Sequence, residues 1–411
     1  MPKAAGETEE QSAEQAGSSR ERASLWSLSW TFLKIGSTAF GGFMALISVV
    51  QNYVVERKKL MRHEDMLDGM SLATVLPGPV AVNVVAYVGY RIRGGLGALV
   101  CAVAVILPSF ILLLGLSYAY FRFGNIPAVN KFFMGFIPAV SAIIVAAAWN
   151  MGKKTINGAP EALLAVAAAG LLIGVGGFPV TVSIIIGSGI LGWLLFHRGS
   201  AKRDTGKEQE KDRKDREGKG PLLKDVASLP LAASFLSMNL AAAGKLFVTF
   251  AGMSVLLFGG GYVFIPLIQE IVVDGHGWVT QQEFIDAIAL GQVTPGPILI
   301  SATFIGYKVA GLIGATTATV GIFTPPALLM LLSTRFLDRI KQSDAIQASL
   351  RGIRSGVIGM IAAAAFVVGR TAEMNGISLL IFGVAVVALL RFKVEVVWII
   401  PLAGITGLLL Y

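Results

Sequence analysis

Cysteine, histidine and charge are all scarce in this chain of 411 residues. One cysteine, Cys101, permits no internal disulfide and no thiolate metal cage. The three histidines, His63, His197 and His276, lie far apart and none sits in a zinc-protease pattern, so neither a metal nor a cofactor is expected. The glycine-lysine signature of a P-loop is missing, which removes ATP hydrolysis as a recognisable energy source. Only 14% of residues are charged while 55% are hydrophobic, and the mean hydropathy is +0.71. Soluble chains carry roughly 25% charged residues. So few charges cannot solvate so much apolar surface, and an ordinary soluble enzyme is excluded.

What is present is a series of long uncharged runs, at 94–121, 132–152, 162–196, 246–269, 287–307 and 309–334, with shorter ones at 355–369, 374–390 and 396–411. Roughly 20 apolar residues cross a bilayer as a helix, and open strand edges cannot face lipid. The expected fold is therefore an all-α polytopic membrane protein. Gly176-Gly177-Phe178-Pro179 should split the run at 162–196 into a helical hairpin. The net charge of +9 reads as cytoplasmic loops under the positive-inside rule rather than as a nucleic-acid surface. Residues 1–24 form an acidic, polar opening, read as a disordered cytoplasmic tail in place of a cleavable signal peptide. Residues 198–241 are read as a charged cytoplasmic linker followed by a short interfacial helix over 229–243. Two membrane domains flank it, at 25–197 and 242–411.

The two domains are copies of one unit. A shift of 218 lays Phe40-Gly41-Gly42 on Phe258-Gly259-Gly260, Gln51 on Gln269, Asp68 on Asp286, and Pro77-Gly78-Pro79 on Pro295-Gly296-Pro297. With a one-residue gap the shift becomes 217, and Gly89, Arg91, Gly97 and Pro108 meet Gly306, Lys308, Gly314 and Pro325. The loop after the first element carries Arg57, Lys58, Lys59 and Arg62, whereas its counterpart over 274–283 carries no Lys or Arg. The charge rule puts these loops on opposite sides, which predicts inverted repeats. Six apparent elements in each half argue the other way, for a parallel duplication if all of them cross.

Pro-Gly-Pro cannot continue a helix, because proline removes a donor and glycine admits dihedrals that other residues avoid. Irregular backbone at membrane depth is tolerated only against protein or a wet cavity, and such breaks mark the transport site of many carriers. New half-helices should start at Val80 and Ile298, offering unpaired N–H groups to an anion. Asn83 and Ser301 stand on their first turns, and Gln292 and Thr294 immediately precede the second break. Gly41, Gly42, Gly259, Gly260 and Gly261 form the second pair of breaks, read either as close helix packing or as unwound backbone. Gln51 and Gln269 can donate amide N–H groups. Candidate counter-charges are Lys34, Arg91, Lys245, Lys308, Arg351 and Arg354, with the duplicated pair Arg91 and Lys308 preferred. Asp68 and Asp286 are candidates for proton coupling, against a bland role as acids in the first turns of a helix. Thr280 and Glu283 read as a capping box for the helix that carries Asp286.

This repeat resembles the chromate ion transporter family in its two-domain form. The resemblance rests on Gly259-Gly260, Val273, Trp278, Pro295-Gly296-Pro297, Gly306 and Gly314, and on Gly41-Gly42, Val55, Pro77-Gly78-Pro79, Gly89 and Gly97, with Leu60 in place of the tryptophan. It implies a secondary transporter in the cell's inner membrane that moves chromate out, driven by the proton-motive force and conferring chromate resistance. Sulfate, the tetrahedral dianion nearest in shape, or another anion on the same scaffold is the alternative cargo. Expected partners are such an oxyanion, the lipid bilayer and a second copy in a homodimer, with no nucleic acid. A membrane-embedded enzyme or a lipid scramblase is the rival reading, but no clustered catalytic set supports the first.

Overall fold

The computed structural model of the chain describes residues 24–40, 42–124, 126–197, 233–258, 264–336, 343–371 and 375–411. Among the described residues the regular structure is helical, with no strand. In the first repeat α1 (Leu25–Thr38) is followed by α2 (Gly42–Gln51), which continues as a π-helical turn over Asn52–Arg57. Then come α3 (His63–Val75) and the segment Val80–Phe123, which breaks at Arg93 and Gly94 into limbs 80–92 and 95–123, named α4 and α5.

Close pairs of residues show how these pieces fold. Thr31 Oγ1 and Tyr53 Oη lie 3.0 Å apart, whereas a straight helix would separate them by about 33 Å. The chain therefore turns back between α1 and α2. Arg91 reaches Asp65 at 2.6 Å, and a side chain on Gly69 would strike the Tyr87 ring. Both pairs are centred on Gly78, whose φ of +101° suits glycine alone. So α3 and α4 form a second hairpin with Pro-Gly-Pro at its tip. The sequence suggested a helix that breaks and resumes; here the chain enters and returns on the same side. At Gly94, φ +66°, it reverses once more, and Gly89 packs backbone to backbone on Gly97. Only then does α5 run the full depth, roughly 40 Å at 1.5 Å per residue.

The second repeat builds the same pattern. Its elements are α10 (Ala233–Val255), α11 (Phe264–Ile268) with a π-helical turn over Gln269–Gly275, and α12 (Gln281–Val293). A single 3-10 turn, Ile298–Ile300, leads into Ser301–Ser333, which breaks at Ala310 and Gly311 into α13 (301–309) and α14 (312–333). Lys245 sits 5.9 Å from the Trp278 ring centre, Lys308 reaches Glu283 at 2.7 Å, and Gly291 abuts Ser301. Gly296, at φ +113°, is the tip. The capping box of Thr280 and Glu283 is present at the start of α12.

The repeats point in opposite directions. α5 leaves from the base of the first repeat's hairpins, beside Arg91 and Gly94. It ends against the base of the second repeat's hairpins, where Tyr120 Oη bonds Asp286 at 2.7 Å and Lys308 stands 4.9 Å from the centre of the Phe121 ring. One helix length separates the two bases, and the tips meet between them.

The remaining helices are α6 (Pro127–Met134), α7 (Phe136–Thr155), α8 (Ala159–Gly174), α9 (Phe178–Phe196), α15 (Asp344–Thr371), α16 (Gly376–Leu390) and α17 (Val396–Leu410). They flank the hairpins and pack through small residues, Gly192 on Gly352, Gly359 on Ala165 and Gly135 on Ala403, as helices do where lipid supplies no hydrophobic drive between them. Gly176 and Gly177, both at positive φ, turn α8 into α9 as the sequence suggested. α10 departs from expectation. It runs from 233 into the first arm of its hairpin without a break, where a separate interfacial helix over 229–243 was anticipated. The tail 1–23 and the linker 198–232 lie outside the described residues.

Candidate functional site

The tips of the two repeats are bonded to each other. Gly78 N–H donates to Leu257 O at 2.8 Å, and Gly296 N–H donates to Ala39 O at 3.1 Å. Ala39 and Leu257 are 218 positions apart, as are Gly78 and Gly296, so the pair of bonds obeys the symmetry of the repeat. A side chain on Gly78 would collide with Pro326, and one on Gly296 with Ser109, positions again related by the repeat. The Ser109 hydroxyl donates to Pro295 O. Each Pro-Gly-Pro tip is thus clamped between the first-hairpin tip and the long helix of the opposite repeat.

These bonds have an electrostatic consequence. Ala39 caps the C-terminus of α1 and Leu257 lies two residues past α10, so the cross-bonds satisfy carbonyls at the negative ends of two helices. The positive ends are left open. α4 starts at Val80 behind Pro79, and its first intrahelical bond runs from Asn83 N–H to Pro79 O at 3.0 Å, which leaves the N–H groups of Val80, Ala81 and Val82 without intrahelical acceptors. Asn83 is fully buried; its Nδ2 donates to Pro77 O at 3.1 Å and its Oδ1 has no partner. Pro77, Gly78, Pro79, Pro295 and Pro297 are themselves largely enclosed. On the second tip, Thr294 bonds Gly291 O at 2.9 Å and Ser301 bonds Ile298 O at 2.9 Å. Gln292 Nε2 is buried without a partner.

Other expected residues stand elsewhere. Gln51 ends α2 and the buried Gln269 opens its π turn, roughly nine residues from their tips. The π turns occupy matching places in the two repeats, and such turns concentrate at functional sites. Gly42 starts α2; Gly41, Gly259, Gly260 and Gly261 lie outside the described residues. Arg91 and Lys308 are not brought to the tips. Each is about 40% exposed and paired with an acid at the base of its hairpin, about a dozen residues of helix from the break. Arg91 instead lines a polar hollow of about 380 Å³ with Arg62, Asp65 and Tyr90. A larger space of about 570 Å³ between α5 and α14 is walled by Leu99, Val103, Phe110, Val320 and Leu328 and suits lipid, not an anion. In the base loop after the second π turn, burial and then Lys245 hold His276 below the usual imidazole range.

The duplicated acids are not equivalent. Asp68 is partly exposed, whereas Asp286 is fully buried and accepts from Tyr120 Oη at 2.7 Å and from Gln282 Nε2 at 3.1 Å. Among the described residues no Lys or Arg pairs with it. Sequence reasoning missed Ser109 and Tyr120, whose partners lie 186 and 166 residues away. No local pattern announces either contact. The repeat does put Ser109 and Pro326 at equivalent positions, each against the tip glycine of the opposite repeat.

A family model described as Chromate transporter matches the chain twice, over residues 26–193 and 244–408. The probable chromate transport protein of Synechococcus elongatus is 31% identical over 94% of this chain and 96% of its own length. The chromate transport protein of Cupriavidus metallidurans is 31% identical over 92% of each. The uncharacterized transporter YwrA of Bacillus subtilis is 28% identical over 39% of this chain and 93% of itself, so a protein of one repeat's size exists separately. No solved structure matches. With two matches to one family model and full-length relatives above 30% identity, this multi-pass membrane chain belongs to the chromate transporter family, in its long, two-repeat form.

Proposed function

We propose that the chain is a secondary transporter that carries chromate out of the cell, with the cross-bonded Pro-Gly-Pro tips as its translocation site. The observation that carries this reading is the pair of symmetric bonds, Gly78 to Leu257 and Gly296 to Ala39. They join inverted hairpins at mid-depth and leave half-helix N-termini free for an oxyanion. Relatives over nearly the whole chain are named for chromate transport, which supports chromate as the cargo. The base with Arg57, Lys58, Lys59 and Arg62 is cytoplasmic under the positive-inside rule, so the first hairpin opens to the cytoplasm and the second to the far side.

Proton coupling runs through Asp286. A buried carboxyl held only by neutral donors can gain or lose a proton without breaking an ion pair, and Tyr120 ties that event to the long helix of the other repeat. Proton entry against chromate exit then follows from one bistable contact.

Sulfate on the same scaffold is the second reading. Backbone N–H groups and amides recognise a tetrahedral dianion by charge and shape, and neither separates chromate from sulfate. The deciding experiment measures chromate content in cells expressing the chain, with rising external and internal sulfate. Chromate-specific export lowers cellular chromate and resists sulfate. Equal competition by sulfate would recast the chain as a general oxyanion carrier, and unchanged chromate content would remove the export reading.

A further inference from the structure

A dianion at the tips requires about two positive charges, and each half-helix N-terminus supplies only about +0.5. Arg91 and Lys308 are committed to acids at the hairpin bases. Arg351, in the second turn of α15, is committed as well: it pairs with the buried Glu161 and lies 4.3 Å from the Phe196 ring centre. Arg354 is one turn further along the same helix and has a different environment. It is partly buried, and its one hydrogen bond among the described residues runs from Nη2 to Thr74 O at 3.3 Å. No carboxylate pairs with it among the described residues. A guanidinium carries five donors, so most of its capacity is open, and a half-buried cation without a counter-ion is costly unless something else neutralises it.

Its position decides what that is. Thr74 is in the last turn of α3, three residues before Pro77. The pairings Asp65 to Arg91 and Gly69 to Tyr87 set the register of the hairpin and place Thr74 across from Val82, on the first turn of α4. The guanidinium therefore stands against the last turn of α3, on the arm that leads directly into the first tip. The repeat offers no twin, since the position matching Arg354 in the first half is Ile137. The tip of the second hairpin has instead Gln292 at the position matching Thr74.

We propose that Arg354 is the counter-charge that holds the transported oxyanion at the first Pro-Gly-Pro tip, on its cytoplasmic side. This rests on the reading that the chain transports an oxyanion. One full charge plus two half-helix N-termini gives the two positive charges required. Arginine suits the task because its planar fork can take two oxygens of a tetrahedral anion at once. It also makes the two halves of the transport cycle unequal. Cargo is gripped by a cation beside the first tip and meets the neutral Gln292 and Ser301 at the second, which favours release.

The test is chromate flux in proteoliposomes with purified wild type, Arg354→Gln, Arg354→Lys and, as a control on the same helix, the exposed Arg370→Gln. Thermal shift by added chromate is read in parallel as a binding signal independent of turnover. Arg354→Gln is expected to raise the KM for chromate at least about tenfold and to abolish the thermal shift. Arg354→Lys recovers part of both, and Arg370→Gln matches wild type. If wild type transports but folded Arg354→Gln, or Arg354→Lys should the Gln variant not fold, keeps the wild-type KM and thermal shift, the assignment of Arg354 is overturned while transport stands. If wild type moves neither chromate nor sulfate, the transport reading falls and takes this one with it.

Discussion

The amide of Gly78 donates to the carbonyl of Leu257 across the two repeats at 2.8 Å, and its symmetry mate joins Gly296 to Ala39. A backbone bond of this kind needs both partners close and neither crowded by a side chain. Glycine at the tip meets both demands: its φ is positive, and the space where a Cβ would stand is filled by Pro326 or Ser109.

Gly78→Leu and Gly296→Leu should each lower transport at least about tenfold, since backbone strain and overpacking each cost about 1–3 kcal/mol at such a site. Membrane insertion and the helix content measured by circular dichroism should stay unchanged. Full activity with leucine at both positions would remove the tips from the site.

Single cysteines at Lys58 and at Gly275, in a Cys101→Ser background, should react with an impermeant thiol reagent from opposite sides of the membrane. Residue 58 lies at the base of the first repeat's hairpins and 275 at the base of the second's. Reaction of both from one side would contradict the inverted arrangement.

Asp286→Asn preserves size but removes the exchangeable charge next to Tyr120. Flux down a chromate gradient should persist in this variant while its response to an imposed pH gradient disappears. Tyr120→Phe should weaken that response and leave the substrate KM near wild type. A full pH response in Asp286→Asn would take proton coupling away from this residue.

Arg91→Gln and Lys308→Gln should be mild, changing KM by less than about threefold, because partly exposed ion pairs contribute only about 0–1 kcal/mol. The charge-swapped double variant Glu283→Lys with Lys308→Glu should recover the stability that Lys308→Glu loses through the broken ion pair but not the capping box that Glu283 closes on Thr280, read as melting temperature. A large KM effect confined to Arg91 would return it to the cargo path.

Much of this was legible in the sequence. The repeat and the positions of the breaks follow from glycine and proline, and the distribution of Lys and Arg favours the opposed orientation that six elements in each half leave open. The direction of the chain after each break does not. Proline frees backbone groups without dictating whether the next helix continues or returns, and that choice is made by contacts such as Gly69 with Tyr87 and Asp65 with Arg91. The duplication of Arg91 and Lys308 made them look like parts of the site, yet each hairpin needs a clamp at its base, and duplication follows from that need as well. Tyr120 is the opposite case, since its partner lies 166 residues away and no local periodicity announces it. Arg354 stands among six candidate cations in the sequence, and only its contact with Thr74, 280 residues away, sets it apart.

Uptake of labelled chromate into inverted membrane vesicles, with and without an imposed pH gradient, tests the central claim most directly. Export becomes uptake in this geometry and protons leave the lumen, so an acid interior should speed accumulation. The account predicts uptake by wild type that rises with an acid lumen and is lost in Gly78→Leu and Gly296→Leu. Uptake no greater than in vesicles lacking the protein, or uptake equally fast in both glycine variants, would contradict it.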